Sequence, residues 1–202
     1  MTDRRAFLLA AAASLAAAWP GVADDAIATD SPAATIASLQ QALVAAGSGT
    51  VQARYDALEP VIVATHNLPY IAEFALRRQW SSLPESDRQR FIAAFERLSV
   101  TTYAARFRNV DSASFRPIEA GAADANGRVP VMTAIRRDGQ PDVTFEYLLQ
   151  QVDANWKIIN IVADGVSDLA LKRAEYQRLF ASGGIDGVIA ELEQQTQRMK
   201  RD

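Results

Sequence analysis

An α+β fold follows from three features of the sequence. Apolar residues recur at helical spacing through the first half, alternate over residues 128–163, and return to helical spacing afterwards. The predicted order is helices, about four antiparallel strands, then helices. A chain of 202 residues with 49% apolar content is large enough to bury one substantial core and too short for two ordinary domains. Its net charge of −3 argues against a nucleic-acid partner, whose phosphates call for a basic face. The absence of cysteine excludes disulfides and thiolate chemistry, and a single histidine, His66, excludes a metal site of clustered imidazoles.

Residues 1–23 read as an address. Arg4-Arg5 precede an alanine-rich apolar run over residues 6–19, and Gly21 and Ala23 supply small residues before a cut after Ala23. The run is shorter than the roughly 20 residues that span a bilayer. The paired arginines suit twin-arginine export, and the general secretory route stays open. Export without disulfides points to a bacterial periplasm. Residues 24–33 are expected as a flexible leader, 34–193 as one domain, and 194–202 as a polar tail.

Within the domain, Ile36, Leu39 and Leu43 set a first helix over residues 34–46, stopped by Gly47-Ser48-Gly49. A second helix is expected over residues 50–58, with Pro60 marking a bend or restart. Asn67-Leu68-Pro69 looks like another helix start. Ser82 and Glu85 have the spacing of a capping box, opening a long helix to about Arg108 with a wide apolar stripe.

Strand signals come next. Residues 115–118 form a weak edge candidate because of Pro117. Val129, Val131, Thr133 and Ile135 alternate on one face, Asp138-Gly139 is a hairpin dipeptide, and Val143, Phe145, Tyr147 and Leu149 alternate on the next strand. Asp153-Ala154-Asn155 turns the chain into a fourth strand over residues 156–163, apolar on both faces and so expected to be covered on each side. From Val166 onward helical spacing resumes, Ser182-Gly183-Gly184 ends that helix, and Ile185, Val188, Ile189 and Leu192 line a last one.

Catalytic signatures are sparse. There is no nucleophile elbow, P-loop or dinucleotide fingerprint, and Asp124-Ala125-Asn126-Gly127 lacks the distal glutamate of a calcium loop. His66 could act as a base near Glu73 or Asp56, or simply end a helix. Trp80 and Trp156 suit packing anchors.

Several segments together resemble the MlaC family of periplasmic lipid-shuttle proteins, also called toluene-tolerance proteins. They are Leu68-Pro69-Tyr70-Ile71-Ala72-Glu73-Phe74-Ala75-Leu76, Trp80, Asp87-Arg88-Gln89-Arg90-Phe91 and Thr102-Tyr103-Ala104. Phe145-Glu146-Tyr147, Trp156-Lys157-Ile158, Asp164-Gly165-Val166-Ser167 and the segment from Ser182 to Ile189 then follow in the family's order, so the resemblance spans residues 34–192. Two departures, Leu148 where an arginine is frequent and Asp168-Leu169-Ala170-Leu171-Lys172-Arg173 after Ser167, are similar to the hopanoid-associated branch.

The resemblance implies a nuclear-transport-factor-like cone, in which helices and a curved sheet enclose an apolar pocket. It implies a carrier of a phospholipid or hopanoid, needing no cofactor, that exchanges cargo with inner- and outer-membrane complexes of an ABC-transporter system and touches membranes transiently. Burial of one sixteen-carbon chain is worth roughly 13 kcal/mol, so tails need cover to cross water. The expected pocket residues are Ile71, Phe74, Ala75, Phe95, Leu98 and Tyr103 from the helices, with Val131, Ile135, Phe145, Tyr147 and Leu149 from the sheet. A slip of one residue in strand register would exchange the sheet faces. Two other readings make different forecasts. An enzyme on the same cone needs His66 or a buried carboxylate as base in the pocket, and a partner-binding module needs no internal cavity at all.

Overall fold

The structure, a computed structural model, describes residues 27–201; the expected export signal and the start of the leader lie outside the described residues. Among the described residues, five α-helices and a five-stranded antiparallel sheet make up the fold. The elements are α1 (Pro32–Ala45), α2 (Val51–Thr65), α3 (Leu68–Leu76), α4 (Glu85–Arg106), β1 (Glu119–Ala120), β2 (Val129–Arg137), β3 (Gln140–Val152), β4 (Asn155–Ala163), β5 (Val166–Ser167) and α5 (Asp168–Arg201). The strands pair in chain order as an unclosed meander, with two-residue strands at both edges. This is the predicted α+β class with one more strand. The weak candidate at residues 115–118 supplies only a bridge from Phe115 to Ile135, and β1 forms just after it.

Chain entry is firmer than a loose leader. Thr29 is buried, its hydroxyl donates to Asn155 Oδ1 (2.7 Å), and its carbonyl accepts from the Trp156 amide (2.7 Å). Ser31 then caps α1 by accepting from the Ala34 amide, with Pro32 in the first turn, where its missing N–H is not needed.

Pro60 lies inside a continuous α2 rather than at a bend. A mid-helix proline costs about 3 kcal/mol. Its ring is exposed, while Leu58 and Ile62 on either side are fully buried, and their burial at about 2 kcal/mol each offsets that cost. Nor does the Ser82–Glu85 capping box form. A short 3₁₀ turn over Trp80–Ser82 turns the Ser82 hydroxyl to the Gln79 carbonyl (2.8 Å), and Pro84 takes the cap position without a side-chain bond. Glu85 and Asp87 still place negative charge at the positive end of the α4 dipole.

Tight turns set the sheet register. Asp153 and Ala154 both have positive φ (48° and 69°), as do Asp164 and Gly165 (47° and 79°), the backbone of hairpin turns matched to strand twist. Asp164 Oδ1 also accepts from the Thr144 amide (2.9 Å), tying the second turn to β3. In β4, Leu149 pairs with Ile158 and Leu148 with Asn160, so Ile159 is the extra residue of a bulge. Both isoleucines are buried at that irregularity.

Val166 belongs to β5, and α5 begins at Asp168. At Gly184 the backbone leaves helical values (φ 61°, ψ −159°), so α5 is two arms meeting where the glycine pair was expected to end a helix. The second arm runs through the expected tail to Arg201, with Thr196 buried. The core joins Ile36, Leu39, Leu58 and Ile62 to Phe91, Phe95 and Tyr176, and to Val131, Leu149 and Ile158 from the sheet.

Candidate functional site

Between the end of α4, the start of α5 and one face of the sheet lies a cavity of about 600 Å³. That is within the usual range for small-molecule sites. Its walls come from distant parts of the chain: Leu68 and Ile71 of α3; Phe95, Leu98 and Tyr103 of α4, with Phe107 just beyond; Ile135 of β2; Val143, Phe145 and Tyr147 of β3; Ile161 of β4; and Leu169 of α5. A second hollow of about 530 Å³, between α4 and the C-terminal arm of α5, is lined by Arg97, Glu193, Gln194, Thr196, Gln197, Lys200 and Arg201. Such a polar lining offers nothing to hydrocarbon.

Aromatic rings form a continuous band along one wall of the apolar cavity. His66 and Tyr103 meet edge to face (centroids 5.3 Å apart), Tyr103 stacks on Phe107 (5.3 Å, 21°), and Phe107 approaches Phe145 (6.2 Å). Phe145 in turn stacks on Tyr147 (5.9 Å, 19°). The two near-parallel pairs each lie along one element, and the tilted Phe107–Phe145 contact (44°) joins the helical layer to the sheet.

His66 ends α2, and its neighbour Asn67 starts α3; the Asn67 amide donates to the Ile158 carbonyl (2.9 Å), which fixes this corner to β4. The imidazole is 3% exposed. Its Nδ1 lies 3.1 Å from the Ile62 carbonyl, an acceptor only, so Nδ1 carries the proton. Nε2 then accepts from the Tyr103 hydroxyl at 2.9 Å. Burial holds the imidazole down to about 4, although the Ile62 carbonyl pulls the other way. Burial likewise pushes the Tyr103 phenol well above its ordinary value. With both ring nitrogens committed and the basicity this low, His66 is a poor general base and a good orienter of Tyr103.

The mouth has the opposite character. Arg106, Arg108, Arg136, Arg137 and Lys172 line it against one acid, Asp168, in a chain whose net charge is −3. Lys172 reaches Asp168 (2.5 Å), and Arg137 Nε donates to the Pro141 carbonyl (3.1 Å). Nearby, buried Arg54 fastens the end of α4. Its Nε donates to the Ala104 carbonyl (2.7 Å), Nη2 to the Phe107 carbonyl (2.8 Å) and Nη1 to the Gly47 carbonyl. This clamp supports the segment that carries Tyr103, Phe107 and Arg108 into the cavity wall.

Of the residues expected in the pocket, Ile71, Phe95, Leu98, Tyr103, Ile135, Phe145 and Tyr147 line the cavity. Phe74, Ala75, Val131 and Leu149 do not. Val131 and Leu149 sit further along the same strands, where α1 crosses β2 and β4 and fills the space; both are fully buried in solid core. Ala75 is sealed in that core as well. Phe74 points elsewhere, stacked on Tyr70 (6.0 Å) and covered by the guanidinium groups of Arg77 (5.2 Å) and Arg173 (5.4 Å). Sequence reasoning missed Phe107, Leu169 and the basic mouth. Val143 was within its reach, since it alternates in step with Phe145 and Tyr147.

Among the described residues no helix is long and apolar enough to cross a membrane. A solved structure of a phospholipid-binding protein from Ralstonia solanacearum, in complex with a phospholipid, matches this fold with a TM-score of 0.67. The match is at 18% identity and covers 83% of this chain and 97% of that one. The family model described as MlaC protein matches residues 33–194. That match takes in most of the chain, which therefore belongs to the MlaC family, a family that points to binding and transport rather than turnover.

Proposed function

We propose that this protein is a periplasmic lipid carrier that holds the apolar part of a phospholipid or hopanoid in the aromatic-walled cavity and moves it between inner- and outer-membrane complexes. The observation that carries the reading is one apolar cavity opening at a cationic mouth. Hydrocarbon leaves water at about 0.8 kcal/mol per methylene, and the interior supplies the surface that receives it. The cations at the mouth, Arg106, Arg136 and Lys172 among them, suit a phosphate left at the water boundary. The phospholipid in the structurally similar Ralstonia solanacearum protein and the periplasmic setting of the family support the same reading. The rigid aromatic lining of Tyr103, Phe107, Phe145 and Tyr147 also suits a polycyclic ring system, which keeps a hopanoid as a second cargo. Release falls to a partner that widens the mouth, because an apolar pocket alone has no switch.

The test is to express the full chain in a Gram-negative host and purify the exported protein without detergent. Native mass spectrometry and solvent extraction then identify what it holds. Stoichiometric phospholipid or hopanoid is the expected result. A protein that is empty as isolated and stays empty after mixing with liposomes would sink the carrier reading in favour of a protein-binding module.

A further inference from the structure

The apolar wall carries a polar group that has no hydrogen-bond partner among the described residues. Tyr147 is 5% exposed, lines the cavity, and its hydroxyl makes no hydrogen bond among the described residues. Its oxygen is not sealed in; the sealed, partnerless side-chain atom of the described residues is Gln79 Oε1. Tyr147 lines the cavity, so this hydroxyl takes its partner from whatever fills that space, water or a ligand. Tyr103 on the facing helix does not supply one. Its proton is already given to His66 Nε2, and no hydrogen bond joins the two phenols.

Tyr147 can both donate and accept, and against a ligand group that carries no proton it donates. The place is set by neighbours: Arg106 follows Tyr103 by less than one helical turn, roughly 5 Å along the axis. A group near Tyr103 and Tyr147 thus lies one short step inside the cationic mouth. In a phospholipid, the acceptors one step inward from the phosphate are the ester carbonyls at the head of the acyl chains.

Resting on the carrier reading above, we infer that the Tyr147 hydroxyl is a ligand-binding group that donates to an ester carbonyl of a bound diacyl phospholipid. The protein then selects ester-linked over ether-linked lipids. The remaining apolar wall treats the two alike, since they differ only in the carbonyls.

The experiment gives the delipidated full-length protein vesicles containing equal amounts of dipalmitoylphosphatidylglycerol and its dihexadecyl ether counterpart. The protein is re-isolated and its lipid quantified by mass spectrometry. Wild type is expected to take the diacyl lipid about fivefold over the ether, the selectivity of one neutral hydrogen bond. Tyr147→Phe is expected to take both equally. Tyr176→Phe, which removes a buried hydroxyl away from the cavity, is expected to keep the wild-type ratio. Wild type without a preference, or a preference that survives Tyr147→Phe, overturns the inference and leaves the carrier reading standing. Uptake of neither lipid by wild type overturns both.

Discussion

Two groups of aromatic side chains in this protein are built from the same residue types and do opposite things. In the solid core, Phe91 and Phe95 both direct their rings against Tyr176 at right angles (5.8 Å and 88°, 6.5 Å and 90°). Edge-to-face contacts fill space in every direction, and Phe91 and Tyr176 are almost wholly buried. Along the cavity wall, Tyr103 on Phe107 and Phe145 on Tyr147 lie within about twenty degrees of parallel (21° and 19°). Those rings stack in pairs and line open volume. Phe95 belongs to both groups, since it touches Tyr176 and also lines the cavity. What differs is whether the neighbouring elements close over the rings, and that is a property of packing rather than of residue choice.

The largest effect separating the two groups is expected at Phe91. Phe91→Ala leaves a void among fully packed neighbours and should cost about 3–5 kcal/mol of stability. Urea unfolding of wild type and variant measures it directly. Under conditions where the variant remains folded, its lipid content should match that of wild type, because Phe91 does not line the cavity. A loss of lipid in step with the loss of stability would mean that core and cavity are one cooperative unit, and the comparison would collapse.

The next effect is a pH dependence at the seam between the regions. His66 is held down to about 4, chiefly by burial, and Lys157 presses it lower while the Ile62 carbonyl and Asp168 pull upward. In the unfolded chain its value is near 6.5. A depressed folded value means that the unfolded state binds the proton first as the solution is acidified. This contribution to stability is complete above about pH 6.5 and is lost as the pH falls toward 4, by about 3 kcal/mol in all. Carboxylates titrate in part of that window, so the readout is the difference between wild type and His66→Gln. Wild type should lose the additional 3 kcal/mol between pH 7 and 4. Parallel curves would show that the imidazole is not sealed from water and that the cavity floor is wetter than the band of rings implies.

How far the sequence could be read follows the same division. Elements whose signals are local were legible: the Asn67 start of α3, the Asp153-Ala154 turn, and the glycine break in α5 each depend on a few adjacent residues. Pro60 and Ser82 misled because local rules were overridden. Burial of Leu58 and Ile62 carries α2 through its proline, and a 3₁₀ turn takes up the serine that would have capped α4. For the cavity, strand alternation identified the correct face, with Ile135, Phe145 and Tyr147 on it. It could not say where along that face α1 stops covering the sheet, so Val131 and Leu149 read the same as the true lining residues. The basic mouth was illegible for a related reason. Arg106 and Arg108 are 28 or more positions from Arg136 and Arg137 and 64 or more from Lys172 in the chain, and only the folded arrangement brings them together.

The smallest change in stability, and the sharpest contrast with Phe91, is expected at Phe107. This residue ends α4, and its backbone carbonyl is held by Arg54 (2.8 Å), a contact that needs no particular side chain. Phe107→Ala therefore keeps the clamp and removes a half-buried ring with open volume on one side. The cost should be about 1–2 kcal/mol, well below that of a sealed phenylalanine. Its effect on lipid should run the other way. Phe107 joins Tyr103 to Phe145, so its loss breaks the band in the middle, and lipid retained through detergent-free purification should fall several-fold. Urea unfolding and lipid extraction on the same preparation give both numbers. A cost equal to that of Phe91→Ala would mean that the Phe107 ring is packed on all sides, and a full complement of lipid would mean that the stacked wall is structural and the ligand rests elsewhere.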